Sequence, residues 1–490
     1  MSRINSAIAV LLLLLFAAAP VVASENEDDN DRYEQKINGD LAYRGRPVVI
    51  DHRMGGLTIR THSANTIAVR ATVRSSDPEI GRKIRVLLDD ATSTIKTEFP
   101  RIIHHSGHLS YSIDMTVTVP TNAVVQAQNQ FGNIDARGLH APSRLENKQG
   151  SIIVADLRGA QTVSNSFGSI EVTNTQGDLT VTNSNGSIKV QQVTGTLTVS
   201  NRFGSISASD ISRGATITNS NGAVDVTDVG GALKVSNAFG SVKASTITGA
   251  ADVTVSNARV ELSNVKGSAT IKNSFGTVIA RTIGGTLTVD GDNSRVEASD
   301  VGGNATIDTG FGAVTLSKIG GNTTVKAANG NIRVSDLSGP FDAETRFGSV
   351  KAERVRGNAS IKGSNGSITL NEINGNVLIR NSFGSAFVDG VTGGVDVQNE
   401  NGAISVTGLR GAGCHPLALR TTFSSIKVAL PPSAGYTVNA RTSFGRITTD
   451  LPITTTNVGG ETINGTIGRG GCKLELSNAN GNITISKDAS

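Results

Sequence analysis

The residue types able to do chemistry are sparse in this 490-residue chain, and their spacing points away from catalysis. One histidine cluster occurs, His104-His105 with His108, in a Ser- and Gly-containing turn. A zinc site needs ligands at tetrahedral spacing with outer partners that orient them. No cysteine or carboxylate stands near these histidines, so they read as an exposed loop and no metal is expected. No nucleophile-base constellation, phosphate loop or calcium-binding Gly-Gly-x-Gly-x-Asp repeat is present. No catalytic or cofactor-binding residue is therefore expected, and the chain reads as a non-enzyme. Cys414 and Cys472 are the two cysteines, both in the last fifth of the chain. An exported protein permits a disulfide between them. Spacing alone does not decide whether their Cα atoms come close enough to pair.

The elements that carry these residues follow one period. Phe131, Phe167, Phe203, Phe239, Phe275, Phe311, Phe347 and Phe383 lie 36 residues apart, each followed by glycine. Asn-Gly sits halfway between most of them, as at Asn185-Gly186, Asn221-Gly222 and Asn365-Gly366. A fixed period of roughly 20 residues marks stacked units that cannot bury their apolar faces alone. Within one unit the apolar residues come in pairs two apart, as at Ile188 and Val190, then Leu197 and Val199. That spacing puts both side chains on one face of a strand. The columns Ile170, Ile188, Ile206, Val224 and Val163, Val181, Val199, Ile217 are β-branched, which suits a buried pleated surface.

A second glycine recurs midway between successive corners, as at Gly177, Gly195 and Gly231. Two reversals per repeat predict a flattened parallel β-solenoid with 18-residue coils. A 36-residue coil would need a wider core than Val and Ile fill between packed sheets. Sixteen regular coils at ~4.8 Å each predict a rod roughly 75 Å long. The Phe column is expected as a structural corner ladder.

Two outward columns bear on function. Glu171, Lys189, Ser207, Asp225, Lys243 and Glu261 alternate in sign, which places opposite charges on neighbouring coils. That reads as a weak stabilising ladder, whereas a parallel-helix glycan enzyme needs acids and bases clustered. Thr162, Thr180, Thr198 and Thr216 form a second column that resembles the arrays of ice-binding solenoids. Lys234, Asp252, Asp290 and Asp308 interrupt it, so it reads as a solubilising strand surface.

The N-terminus carries a secretory signal pattern: Arg3, the apolar run Ile8 to Ala19, and a small-residue cleavage site near Ala23. The run is too short for a membrane span, so the mature chain is expected to have no transmembrane segment. Net charge is +4, with 45 basic and 41 acidic side chains dispersed and no basic-aromatic motif, so nucleic-acid binding is not expected. The expected organisation is a signal peptide at 1–23 and an acidic disordered leader at 24–36. An N-terminal β cap at 37–125 follows, then the regular solenoid at 126–412 and irregular coils with a cap at 413–490.

The Gly-Ser-Ile repeats resemble the bacterial putative-adhesin domains of unknown function, relatives of the head-GIN adhesin-like domains. So do Val117-Thr118-Val119-Pro120 leading into Phe131-Gly132-Asn133-Ile134, and Leu451-Pro452 followed by Gly465-Thr466-Ile467-Gly468 and Asn480-Gly481-Asn482-Ile483. The likeness covers nearly all of the mature chain. It implies a bacterial, exported or envelope-associated β-solenoid and supplies no catalytic residues. The chain departs from the pattern at Asn257-Ala258 and Asn293-Ser294, where the corner glycine is missing and a different turn is expected.

Together these readings favour an adhesin-like rod in the periplasm, at the cell surface or outside the cell, with a protein or polymer of the envelope as partner. Trp is absent and Tyr numbers 4, which argues against a glycan pocket built by stacking. A periplasmic structural or sensory scaffold is the second reading, and a carbohydrate-active β-helix enzyme the third. The sequence assigns neither the partner nor the oligomeric state.

Overall fold

The computed structural model describes residues 22–28, 32–101, 109–411 and 414–488. They form a parallel β-solenoid of about 17 turns with irregular strands at the ends. The chain divides between residues 204 and 205 into two compact units.

In the first unit, Gln161–Phe167 pairs in parallel with Leu179–Asn185, and Leu179–Asn185 with Leu197–Phe203. Every partner lies one repeat further on, as in Val163↔Val181↔Val199, so the coil is the 18-residue unit. The second unit keeps the same step, as in Val224↔Val242↔Val260. These column residues are at most 1% exposed. Inward Val, Ile and Leu alternate with outward Thr, Ser and charged residues along each arm, so within each unit the core is a stack of aliphatic layers.

One coil shows how the sequence bends the chain. Gln161–Phe167 runs to the corner Gly168, whose φ of 123° lies in the region that favours glycine. At the other corner of this coil Gly177 also takes positive φ, 139°, whereas one coil further on Gly195 has no such φ. Its glycine is required by close stacking instead, because a Cβ there would lie 2.3 Å from the carbonyl carbon of Gly177.

Between Gly168 and Gly177 lies a third bend. Asn174 sits at φ 56° inside Ile170–Gln176, and two consecutive residues, 173 and 174, face outward before Thr175 returns to the core. The same left-handed bend recurs once per coil at Asp156, Asn174 and Gln192, and in the second unit from Asp210 to Glu372. The flattened coil with two reversals is thus corrected to one with three bends. Asn and Asp tolerate this conformation, and they fill seven of its thirteen positions from Asp156 to Glu372.

Of the two corners without glycine, Asn293-Ser294 takes a different path, with the strand Asn293–Val301 beginning at the corner itself, whereas Ala251–Asn257 ends before Ala258 as strands do at the glycine corners. Ala269–Ile283 runs as one strand through its corner, with Gly276 paired to Ser294. Ser294 is buried and its hydroxyl donates to the Asn273 carbonyl at 2.8 Å. Gly291 makes the room: a Cβ there would lie 3.0 Å from that of Ser294.

The first unit begins with antiparallel strands. Val22–Asp28, which spans the end of the segment read as a signal peptide and the start of the one read as a disordered acidic leader, pairs with Arg32–Ala42. Arg32–Ala42 pairs with Thr66–Ser75, and Thr66–Ser75 with Tyr111–Pro120. Parallel pairing begins where Val48–Asp51 meets Thr94–Glu98 and Leu57–His62 meets Tyr111–Pro120, and the same two strands pair onward in parallel with Val125–Phe131 and Ile134–Arg137. The only helix among the described residues is Pro78–Gly81, capped by the Asp77 carboxylate. No described helix is long and apolar enough to cross a membrane. Most of the expected signal segment, residues 1–21, lies outside the described residues.

Candidate binding ridge

Ahead of each corner, whether Phe-Gly or amide-Gly, the last inward residue of the strand is Asn or a substitute for it. In the first unit these are Asn129, Asn147, Asn165, Asn183 and Asn201, all buried. Each donates its Nδ2 to a glycine carbonyl, as Asn147 does to Gly132 at 2.8 Å, Asn165 to Gly150 at 2.8 Å and Asn183 to Gly168 at 2.9 Å. In the second unit Asn237 bonds Gly222 at 3.0 Å and Asn399 bonds Gly384 at 2.7 Å. Where Asn is replaced by Thr, the hydroxyl takes over: Thr309 donates to Ser294 and Thr421 to Gly402, both at 3.1 Å. A buried corner carbonyl left unpaired would cost about 1–3 kcal/mol, so this polar column fixes the corners. Sequence reasoning missed it, although Ser-Asn-Ser-Phe-Gly displays it two residues before each corner.

With the corner fixed from inside, the next residue but one points out. Phe131, Phe167 and Phe203 in the first unit are 42–54% exposed. In the second unit Phe239, Phe275, Phe311, Phe347 and Phe383 are 51–58% exposed. The corner ladder is therefore an exposed ridge, not packed interior. Phe167 pairs across the ladder with Gln149 and Asn185, and Phe347 with Asn329 and Asn365. Aromatic neighbours are thus two coils, about 10 Å, apart. That exceeds the reach of ring-on-ring contact. Among the described residues the aromatic pair is elsewhere, Phe99 with Tyr111 at 5.5 Å.

The ridge continues where the sequence loses its period. Phe423 and Phe444, displaced from the 36-residue register, are 54% and 75% exposed and both pair with Asn480. Alternation of aromatic and amide is kept in space after it is lost in sequence.

The bend column carries charge. Asn174 donates to Asp156 at 2.7 Å. In the second unit Lys318 meets Asp300 at 3.5 Å and Arg354 meets Asp336 at 2.6 Å. The Arg354 hydrogen bonds hold the Asp336 carboxyl below its usual range. In the column singled out from sequence, Lys189 bonds Glu171 at 2.9 Å, and Lys243 lies in register with Asp225 and Glu261. The threonine column stacks as Thr162, Thr180, Thr198 and, in the second unit, as Thr270, Thr288, Thr306, Thr324. These are exposed strand faces with ladder pairing, worth little per pair.

Among the described residues no group of three or more His, Cys, Asp or Glu is placed to hold a metal. His104, His105 and His108 lie outside the described residues. Cys414 and Cys472 form a disulfide with Cα atoms 5.4 Å apart.

No family model and no curated protein matches the chain. Two solved structures are similar to it. One is a "putative cell adhesion protein" from Clostridium sporogenes, 9% identical, covering 47% of this chain and 99% of its own, with a TM-score of 0.21. The other is a "putative adhesin" from Parabacteroides distasonis, 13% identical, covering 57% and 96%, with a TM-score of 0.17.

Proposed function

We propose that this chain is a non-enzymatic, exported envelope or surface protein, an adhesin-like solenoid that holds its partner by repeated contacts along the Phe ridge. The observation that carries the reading is the exposure of the whole Phe column on a scaffold that buries its other repeated apolar columns. Half-exposed aromatic rings in a row cost solubility and contribute little to the fold, because Asn occupies the equivalent corner in alternate coils. The partner is a protein or polymer of the envelope, long enough to meet several rings at once. Repeated weak contacts then add through effective concentration.

The Asn corners supply the control for testing this. A triple variant, Phe275→Asn with Phe311→Asn and Phe347→Asn, places at each corner a residue the fold already accepts there. Its thermal midpoint is expected to stay within a few degrees of the parent. Retention on isolated cell envelopes is expected to fall on the order of 100-fold, at about 1 kcal/mol per ring. Equal retention of variant and parent, both folded by circular dichroism, would remove the ridge as the binding surface.

A further inference from the structure

Near the end of the second unit, strand order departs from sequence order. Leu417–Phe423 pairs next with Cys472–Asn480, and Cys472–Asn480 pairs on its far edge with Tyr436–Phe444. The second arm repeats the exchange: Ile426–Leu430 pairs with Ile483–Lys487, which pairs with Ile447–Thr449. Residues 472–487 are thus inserted between two coils, 417–430 and 436–449, that both precede them in the chain.

The insertion is in full register. Leu474 and Leu476 stack between Leu417 and Leu419 on one side and Val438 and Ala440 on the other, all at most 2% exposed. The Asn478 Nδ2 donates to the Ser424 carbonyl at 2.6 Å, extending the buried amide column. Two further features frame the slot. Cys472 opens the inserted strand and is bonded to Cys414, just ahead of Leu417–Phe423. Gly468, Gly470 and Gly471, immediately before Cys472, take φ values of 59°, 73° and 121°. Left-handed backbone at three of four residues redirects the chain into the slot, and glycine does this without steric cost.

Segment 472–487 fills this slot, so both of its edges stay unpaired until that segment arrives. Unpaired in-register strand edges are templates for any strand of matching pattern. A second copy carries the identical segment, so every pairing made within one chain can be made between two. The intramolecular fill has the advantage of its tether, and the disulfide then makes it permanent.

We propose that the slot between coils 417–430 and 436–449 is a strand-acceptor site whose second possible occupant is segment 472–487 of another copy. Chains joining before Cys414 and Cys472 have bonded within one copy give a strand-exchanged dimer. In that dimer Cys414 of one copy faces Cys472 of the other.

The test uses full-length Cys414→Ser and Cys472→Ser chains, tagged to differ in mass and refolded together with oxidised glutathione. Formation of the one possible intermolecular Cys414–Cys472 bond passes two electrons and two protons to the glutathione disulfide. The expected product is a heterodimer on a non-reducing gel, split by dithiothreitol, at about tenfold the yield of either homodimer. Monomer alone, or homodimers at equal yield, with β-structure recovered by circular dichroism, overturns the proposal. If the single-cysteine chains do not recover β-structure, the parent chain is refolded oxidatively over a range of concentrations. A reducible dimer that rises with concentration then supports exchange, and monomer throughout overturns it.

Discussion

His52 is fully buried in the first unit, with its Nδ1 3.4 Å from the Thr97 hydroxyl. Burial lowers its pKa from 6.5 to about 4, outweighing backbone hydrogen bonds at Gly55 and Ile113 and the nearby Asp114 and Asp51, which raise it. The unfolded chain therefore binds a proton that the folded chain refuses between those two values. The stability held by neutral His52 is complete above pH ~6.5 and is lost as pH falls toward 4, amounting to about 2 kcal/mol by pH 5. Urea midpoints of the parent and His52→Gln should converge by roughly that amount between pH 7.5 and pH 5, a difference that cancels the carboxylates common to both. The sequence does carry a faint mark of this residue, because His52 continues the inward parity of Val48 and Ile50, but a polar residue just past the strand end reads as exposed on its own. The Phe corners were the opposite case. Their position was legible to the residue, but their exposure was not, since a Phe at the end of an alternating strand continues the inward parity of Val163 and Asn165 until the corner swings it out.

At the scale of the element, the bend inside the second arm decides how a coil closes. It forces thirteen non-glycine residues into φ between 55° and 61°. Thr246 and Thr282 are exposed and β-branched, the least suited of the set, and left-handed backbone costs them about 1 kcal/mol each. Thr246→Asn with Thr282→Asn is expected to raise unfolding free energy by ~1–2 kcal/mol, because Asn bonds locally in that conformation. A chemical denaturation curve shifted to higher midpoint with unchanged slope would show it. The sequence held the signal, since the column runs Asp156, Asn174, Gln192, Asp210, Asp228. It was masked by two louder ones: the glycines suggested two reversals, and the apolar triplet Ile188, Val190, Val193 conceals a phase slip between its second and third members. The inserted C-terminal strand was beyond sequence reasoning, because the repeat fixes what each strand can pair with, not which strand arrives there.

At the scale of the molecule, core and surface keep different periods. The core repeats with every coil, so nearest-neighbour stacking needs only that single step. The surface repeats with every second coil: Phe alternates with Asn at the corner, and charge alternates along two columns, Asp300-Lys318-Asp336-Arg354 and Asp308-Lys326-Glu344-Lys362. Deleting 312–347 joins Phe311 to Gly348 and sets Asp300 beside Arg354, Asp308 beside Lys362 and Phe311 beside Asn365. Deleting 312–329 joins Phe311 to Gly330 with the same core register, but sets Asp300 beside Asp336, Asp308 beside Glu344 and Phe311 beside Phe347. Like charges directly opposite cost up to ~1 kcal/mol each. Both deletions are expected to fold cooperatively in thermal melts followed by circular dichroism, with the one-coil deletion the less stable by about 1–2 kcal/mol at low salt. Added salt should close that gap, since the difference is electrostatic at exposed positions. A deletion one residue shorter, 313–329, is expected to lose the cooperative melt, because one residue of slip sends each buried side chain to the solvent face. If the one-coil deletion also lost its melt, the folding unit would be the two-coil pair, and the Phe alternation would belong to the fold as well as to the ridge.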